Sequence, residues 1–245
     1  MHGRVRPLAL GYLVVLHIAL LSLLWRSDTA DAWRHALDPT PAHLTAYRRD
    51  RLAFHRRGDA ALPSGGWRLF GDSLTEGMPA AALPVRASNY GIGSDDTIGL
   101  AARLPAYGSL ARADGVLLAI GLNDLGHDEP AAILARYVDI VDSLPRGVRV
   151  LCHGVLPVDE RVRPDPGARS NARIGTLNAG LETLCTNRGH RYVPPPPALA
   201  GADGNLRSDL HDGDGVHLDA DGYTVWLEHL APELLPPDAT DPDRR

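Results

Sequence analysis

The chain has 245 residues, of which 44% are hydrophobic and 22% charged. That is enough for one domain of ordinary size with a sizeable core, plus an appendage. The net charge of -5 argues against nucleic acid as a bulk partner, because phosphate neutralisation calls for a basic face.

From the N-terminus, Leu8 to Trp25 (LALGYLVVLHIALLSLLW) is an apolar run without a formal charge. At about 1.5 Å per residue it is just long enough to cross a bilayer core of about 30 Å. Arg4 and Arg6 precede it, and only Arg26 follows closely, among Asp28 and Asp31. The positive-inside tendency then keeps the N-terminus cytoplasmic and exports the rest. A cleaved signal peptide is the alternative, since Ala30-Asp31-Ala32 has the small-x-small form of a cleavage site. Residues 1–32 are therefore expected to be a membrane anchor or signal, with the domain outside the cytoplasm.

Asp38-Pro39-Thr40-Pro41 breaks the chain. Ala42 to Arg57 reads as an arginine-rich helix, and Leu62 to Gly66 breaks it again. Residues 33–64 are expected to be a juxtamembrane helix and linker, 65–236 the main domain, and 237–245 a Pro-rich disordered tail. In the main domain, apolar runs at Trp67–Phe70, Val85–Tyr90, Gly115–Ile120, Val148–Val155 and Arg191–Val193 read as strands. Helical stretches separate or follow them at Thr97–Leu104, Glu129–Leu144, Asn171–Asn187 and Asp221–Leu235. Pro130 suits a first helical turn. Alternating strands and helices imply an α/β fold with a parallel sheet. Cys152 falls in a strand and Cys185 in a helix. Two cysteines are too few for a disulfide framework and match no zinc spacing. They read as two buried unpaired thiols, a single bridge being the alternative in an exported domain.

Ligands of such sheets bind beyond the carboxyl ends of the strands, and three motifs fall there. Gly71-Asp72-Ser73-Leu74-Thr75-Glu76-Gly77 follows the first strand. A serine on that turn can present its hydroxyl beside a helix N-terminus, although a Gly-Asp-Ser turn can equally be a plain helix cap. Asn89-Tyr90-Gly91-Ile92-Gly93-Ser94-Asp95-Asp96-Thr97 follows the second strand. Its glycines let backbone approach a ligand, but it fails the dinucleotide fingerprint because Asp96 occupies the last glycine position. Gly121-Leu122-Asn123-Asp124 follows the third, and an Asn amide there can donate to a developing oxyanion. A fourth motif, Asp214-Gly215-Val216-His217, lies in a late loop. Three residues apart, its carboxylate can set the tautomer of its imidazole, which can then take a proton from Ser73. The EF-hand pattern fails in this loop, at Val216 and at the required glutamate. His127, His153 and His211 also lie near motif ends, and Asp212 rivals Asp214 less well because it stands five residues before His217.

These four blocks, in this order, resemble those of the GDSL/SGNH hydrolases, over about Trp67 to Leu235. The resemblance implies a three-layer α/β/α sandwich around a parallel, flavodoxin-like sheet. It also implies hydrolysis of esters or thioesters without a metal or other cofactor. By position, Ser73 matches the nucleophile, Asp214 and His217 the acid and base, and Asn123 the side-chain oxyanion donor, beside the N–H of Ser73. The loop's oxyanion glycine aligns with Ser94, whose N–H is equivalent provided serine reaches the required backbone angles. The expected substrate is an O-acetylated glycan or another short acyl ester at the cell envelope. Lysophospholipase, thioesterase and acyl transferase are the alternatives.

Overall fold

The computed structural model describes residues 16–17, 46–162 and 169–236. The chain divides into two compact units, residues 1–45 and 46–245. Of the first, only Leu16 and His17 are described, and both are helical. The rest of the apolar run of residues 8–25, where the anchor or signal was expected, lies outside the described residues, as does the tail of residues 237–245. Among the described residues no helix is long and apolar enough to cross a membrane.

The second unit is built on five parallel strands in the order β2-β1-β3-β4-β5. They are β1 (Trp67–Gly71), β2 (Ala87–Asn89), β3 (Gly115–Ala119), β4 (Arg149–His153) and β5 (Arg191–Val193). Every residue of β1 is buried, as are the first four of β3. Near-continuous burial is what a parallel sheet covered on both faces requires. The helices are α1 (Ala46–Asp59), α2 (Ser73–Gly77), α3 (Thr97–Arg103), α4 (Pro130–Asp142), α5 (Asn171–Asn187) and α6 (Ala220–Leu234). The register aligns Phe70 with Leu118 and Leu118 with Cys152, so these three side chains share a face. The Cys152–Cys185 contact sets α5 on that face, and α3, α4 and α5 pack on one another in succession. The opposite face carries His153, whose ring accepts from Trp226 Nε1 of α6 at 3.0 Å. Tyr223 of α6 in turn donates to the Leu74 carbonyl of α2 at 2.9 Å. Three layers result.

One expectation is corrected. Cys152 of β4 and Cys185 of α5 are not free thiols but form a disulfide, with Cα atoms 6.5 Å apart. Spacing alone could not show this, because the sheet-to-helix packing that brings the two together is set by residues distant from both. The arginine-rich helix read within residues 33–64 is α1, and it falls in the second compact unit. Its inner face is polar: Arg48, His55 and Asp59 are buried. Asp59 accepts from Tyr90 Oη (2.6 Å) and from the Ser109 N–H (2.9 Å) and hydroxyl. His55 Nδ1 lies 3.1 Å from the Tyr107 hydroxyl, and burial pushes its ring down to about 4. A helix that docks through charged groups lacks the apolar stripe by which docking is read from sequence.

Candidate active site

The sheet reverses its winding between β1 and β3, and the first and third motifs leave the sheet at that switch point. Gly71 ends β1 because nothing larger fits: an added Cβ would stand 2.0 Å from Thr75 Oγ1 and 2.3 Å from the Ala119 carbonyl. Asp72 then caps α2, its Oδ1 accepting from the Leu74 N–H at 3.0 Å. Burial pushes the Asp72 carboxyl up to about 7; the Leu74 N–H opposes this, while Asp95 and Asp124 add to it. Ser73 is the first residue of α2, so its N–H is one that no helical carbonyl can take.

Ser73 Oγ stands 2.9 Å from Nε2 of His217. On the far side of the ring, Nδ1 is 2.5 Å from Asp214 Oδ2. The other oxygen, Asp214 Oδ1, accepts the N–H groups of Val216 and His217, both at 2.9 Å. Burial raises the Asp214 carboxyl, but the hydrogen bonds from the His217 ring and from these two N–H groups outweigh it and hold the group at about 2. An ionised carboxylate on Nδ1 keeps the proton there and leaves Nε2 free to accept from Ser73.

The loop after β2 supplies the second donor set. The Gly91 N–H is taken by Asn89 Oδ1 (2.9 Å), that of Ile92 by the Gly71 carbonyl (3.1 Å), and that of Gly93 by Glu76 Oε2 (2.7 Å). The Asp95 N–H turns back to the Ile92 carbonyl at 3.1 Å. That leaves Ser94, exposed at the loop tip with φ at 60°. It is the one non-glycine with positive φ among the described residues. Serine thus does reach the left-handed backbone that a glycine would adopt freely, at a cost of roughly 1–2 kcal/mol. Asn123 Nδ2 donates one proton to the Asp95 carbonyl at 2.9 Å, and its second amide proton is available for a ligand.

Residues 69–225 match the model of the GDSL-like lipase/acylhydrolase family. The chain belongs to that family. Among solved structures, this GDSL hydrolase is similar to a Streptococcus pneumonia protein provisionally named a platelet activating factor (25% identity, TM-score 0.71), covering 77% of this chain and 93% of that one. It shares its fold with a GDSL-like lipase from Bacteroides thetaiotaomicron (16%, TM-score 0.58), covering 75% and 96%. A lipase/acylhydrolase from Enterococcus faecalis (21%, TM-score 0.55) is covered fully by 72% of this chain. A search of curated protein sequences finds no match.

The remaining histidines of the GDSL hydrolase are placed elsewhere. His153 is buried, its Nδ1 2.7 Å from the Gly154 carbonyl and its Nε2 bonded to Trp226. His127 lies on the surface, 3.7 Å from Asp128. His211 braces the late loop: its Nδ1 accepts from Gly213 (3.0 Å) and Gly215 (3.3 Å), and its Nε2 lies 3.4 Å from Asp159 Oδ2. Asp159 also donates its N–H to the Gly215 carbonyl at 2.8 Å. Asp212 is exposed and touches His217 only through its own N–H, 2.9 Å from the His217 carbonyl. Among the described residues no group of three or more His, Cys, Asp or Glu could hold a metal ion. Sequence reasoning missed Glu76, Asp159 and the bracing role of His211, all of which act on the backbone of a motif loop and not on a ligand. Glu76 was visible one turn after Ser73, but nothing local marks its partner, Gly93.

Proposed function

We propose that this chain is a serine esterase of the cell envelope acting on short acyl esters, O-acetylated glycans first among them. Ser73 is the nucleophile, His217 the base and Asp214 its orienting acid. The observation that carries the reading is the unbroken relay from Ser73 Oγ to His217 Nε2 (2.9 Å) and from His217 Nδ1 to Asp214 (2.5 Å).

Ser73 Oγ attacks the ester carbonyl while its proton passes to His217 Nε2. The negative charge that develops on the carbonyl oxygen is met by the N–H groups of Ser73 and Ser94 and by the Asn123 amide. His217 returns the proton to the departing alkoxide. It then deprotonates a water molecule, which releases the acyl group and restores Ser73. A chain with only two Phe and two Met offers little apolar surface for a long acyl tail. The envelope location is supported by the apolar run of residues 8–25 and by the Cys152–Cys185 disulfide, a bond that persists in oxidising compartments. The lipase/acylhydrolase description of the family favours a lipid ester as the second reading.

The test is hydrolysis of p-nitrophenyl acetate by the wild type and by Ser73→Ala, with fluorophosphonate labelling of both. A panel of acetylated xylan, lysophospholipid and thioester follows. Loss of turnover and of labelling in the variant is expected; wild-type turnover by Ser73→Ala refutes the assignment. Preference for lysophospholipid over acetylated glycan would select the lipid reading.

A further inference from the structure

The two backbone donors assigned to the oxyanion lie on different elements, Ser73 on α2 and Ser94 on the loop after β2, so something must set the distance between them. Glu76 sits on α2 three residues after Ser73. Its Oε2 accepts the Gly93 N–H at 2.7 Å, and Gly93 immediately precedes Ser94. Its other oxygen, Oε1, accepts from the Tyr47 hydroxyl at 2.7 Å and pairs with Arg51 Nε at 2.6 Å. Both residues belong to α1, which lies before the residues 69–225 that match the family.

The other side of Ser94 is also fixed. The Asp95 carboxylate is buried between Arg103, 2.8 Å away, and Arg48 of α1, 3.6 Å away. Its carbonyl takes the Asn123 amide. A non-glycine residue persists in the left-handed region only where its surroundings over-determine it. Here the neighbours on both sides of Ser94 are clamped, and α1 contributes to both clamps.

We propose that Glu76, held by Tyr47 and Arg51 of α1, is a positioning residue that ties the Gly93 peptide to α2 and so fixes the Ser94 N–H relative to the Ser73 N–H around the oxyanion. The proposal rests on the esterase reading. It makes α1 part of the catalytic apparatus without bringing any of its residues to the reacting atoms.

The test compares wild type, Glu76→Ala and the double variant Tyr47→Phe/Arg51→Met with p-nitrophenyl acetate. Folding is followed by circular dichroism, with the pH profile of kcat/KM and inhibition by a trifluoromethyl ketone as further readouts. Displacing one oxyanion donor should lower kcat of Glu76→Ala about 10-fold or more, with KM within about twofold. Ketone inhibition should weaken by a similar factor, because the ketone adduct carries the oxyanion. The pH midpoint should stay in place, because the Ser73–His217–Asp214 relay is untouched. The double variant, altered at residues that are not deeply buried, should lose less kcat with unchanged KM. It decides the matter if Glu76→Ala does not fold. Wild-type kcat and ketone inhibition in the folded variants overturn the proposal, as does a loss confined to KM. Active Ser73→Ala would instead overturn the esterase reading itself, so the two failures are distinguishable.

Discussion

Replacing Asp214 by asparagine should damage the enzyme more than replacing it by alanine, although asparagine is the closer mimic in shape. On the proposed mechanism, His217 becomes an imidazolium facing a carboxylate in the transition state. Two charges about 4 Å apart attract by about 1 kcal/mol in water and about 4 kcal/mol at an effective dielectric of 20. The Asp214 and His217 side chains are 45% and 42% exposed. A middle value of about 2–3 kcal/mol is therefore appropriate, and alanine should lower kcat by about 30- to 150-fold. Asparagine loses the same charge and adds a second fault. Its carbonyl oxygen is claimed by the Val216 and His217 N–H groups, both at 2.9 Å. Its NH2 must then face Nδ1 and donate to it, which drives the ring proton to Nε2, where it blocks acceptance from Ser73. Undoing that hydrogen bond adds about 1–1.5 kcal/mol, or roughly a further 10-fold. The assay is kcat/KM for p-nitrophenyl acetate near pH 7.5, with both variants shown to be folded. An asparagine variant as active as the alanine variant would refute the orientation argument.

Further outcomes follow from the same geometry. The disulfide closes a loop with a sequence separation of 33, so chain entropy predicts a contribution of about 4 kcal/mol. Cys152→Ala/Cys185→Ala should melt about 10 °C lower while keeping its activity at 25 °C; an unchanged Tm would refute the bridge. Asn123→Ala removes an oxyanion donor together with the bond to the Asp95 carbonyl, and kcat should fall by about 100- to 1000-fold; an unchanged kcat would remove Asn123 from the hole. Ser94→Gly keeps the N–H and is at ease at φ 60°, so its steady-state kcat should match wild type; a large loss would mean that the side chain, not the backbone, does the work. Asp72 has its carboxyl raised to about 7 by burial. Folding therefore binds a proton that the unfolded chain has lost, and stability declines as pH rises from about 4 to about 7. Asp72→Asn keeps the acceptor for Leu74 and has no proton to lose, so its Tm relative to wild type should be more favourable at pH 8 than at pH 5.

The parallel sheet was legible because its strands are short, apolar and separated by helical stretches. α5 has the expected limits, Asn171–Asn187. β2 is shorter than the apolar run suggests, Ala87–Asn89, because it pairs only along β1, at the edge of the sheet. The residues of the relay were legible because their motifs are local: Asp214 and His217 are three apart, and Ser73 directly follows a strand and a helix cap. What escaped was carried by pairs distant in sequence. Asp59 meets Ser109 fifty residues on, and Glu76 meets Gly93 seventeen residues on. Neither leaves a periodic trace. Cys152 and Cys185 meet only because α5 packs on β4.

Two carboxylates stand close to Ser73, and their surroundings drive them in opposite directions. Asp72 precedes Ser73, is buried, and has one N–H on its accepting oxygen. The Leu74 N–H only partly offsets the loss of water, so its carboxyl is pushed up to about 7. Asp214 is half exposed and receives two N–H groups and an imidazole, so its charge is retained. The difference suits the chemistry. A fixed negative charge at Asp72 would lie beside the N–H of Ser73, where the proposed mechanism puts the oxyanion, and would oppose it. At Asp214 the same charge would stabilise the imidazolium of the proposed mechanism, with the His217 ring between it and the oxyanion. On the proposed mechanism, a raised carboxyl behind Ser73 and an ionised one behind His217 lessen the repulsion of substrate charge at the Ser73 N–H.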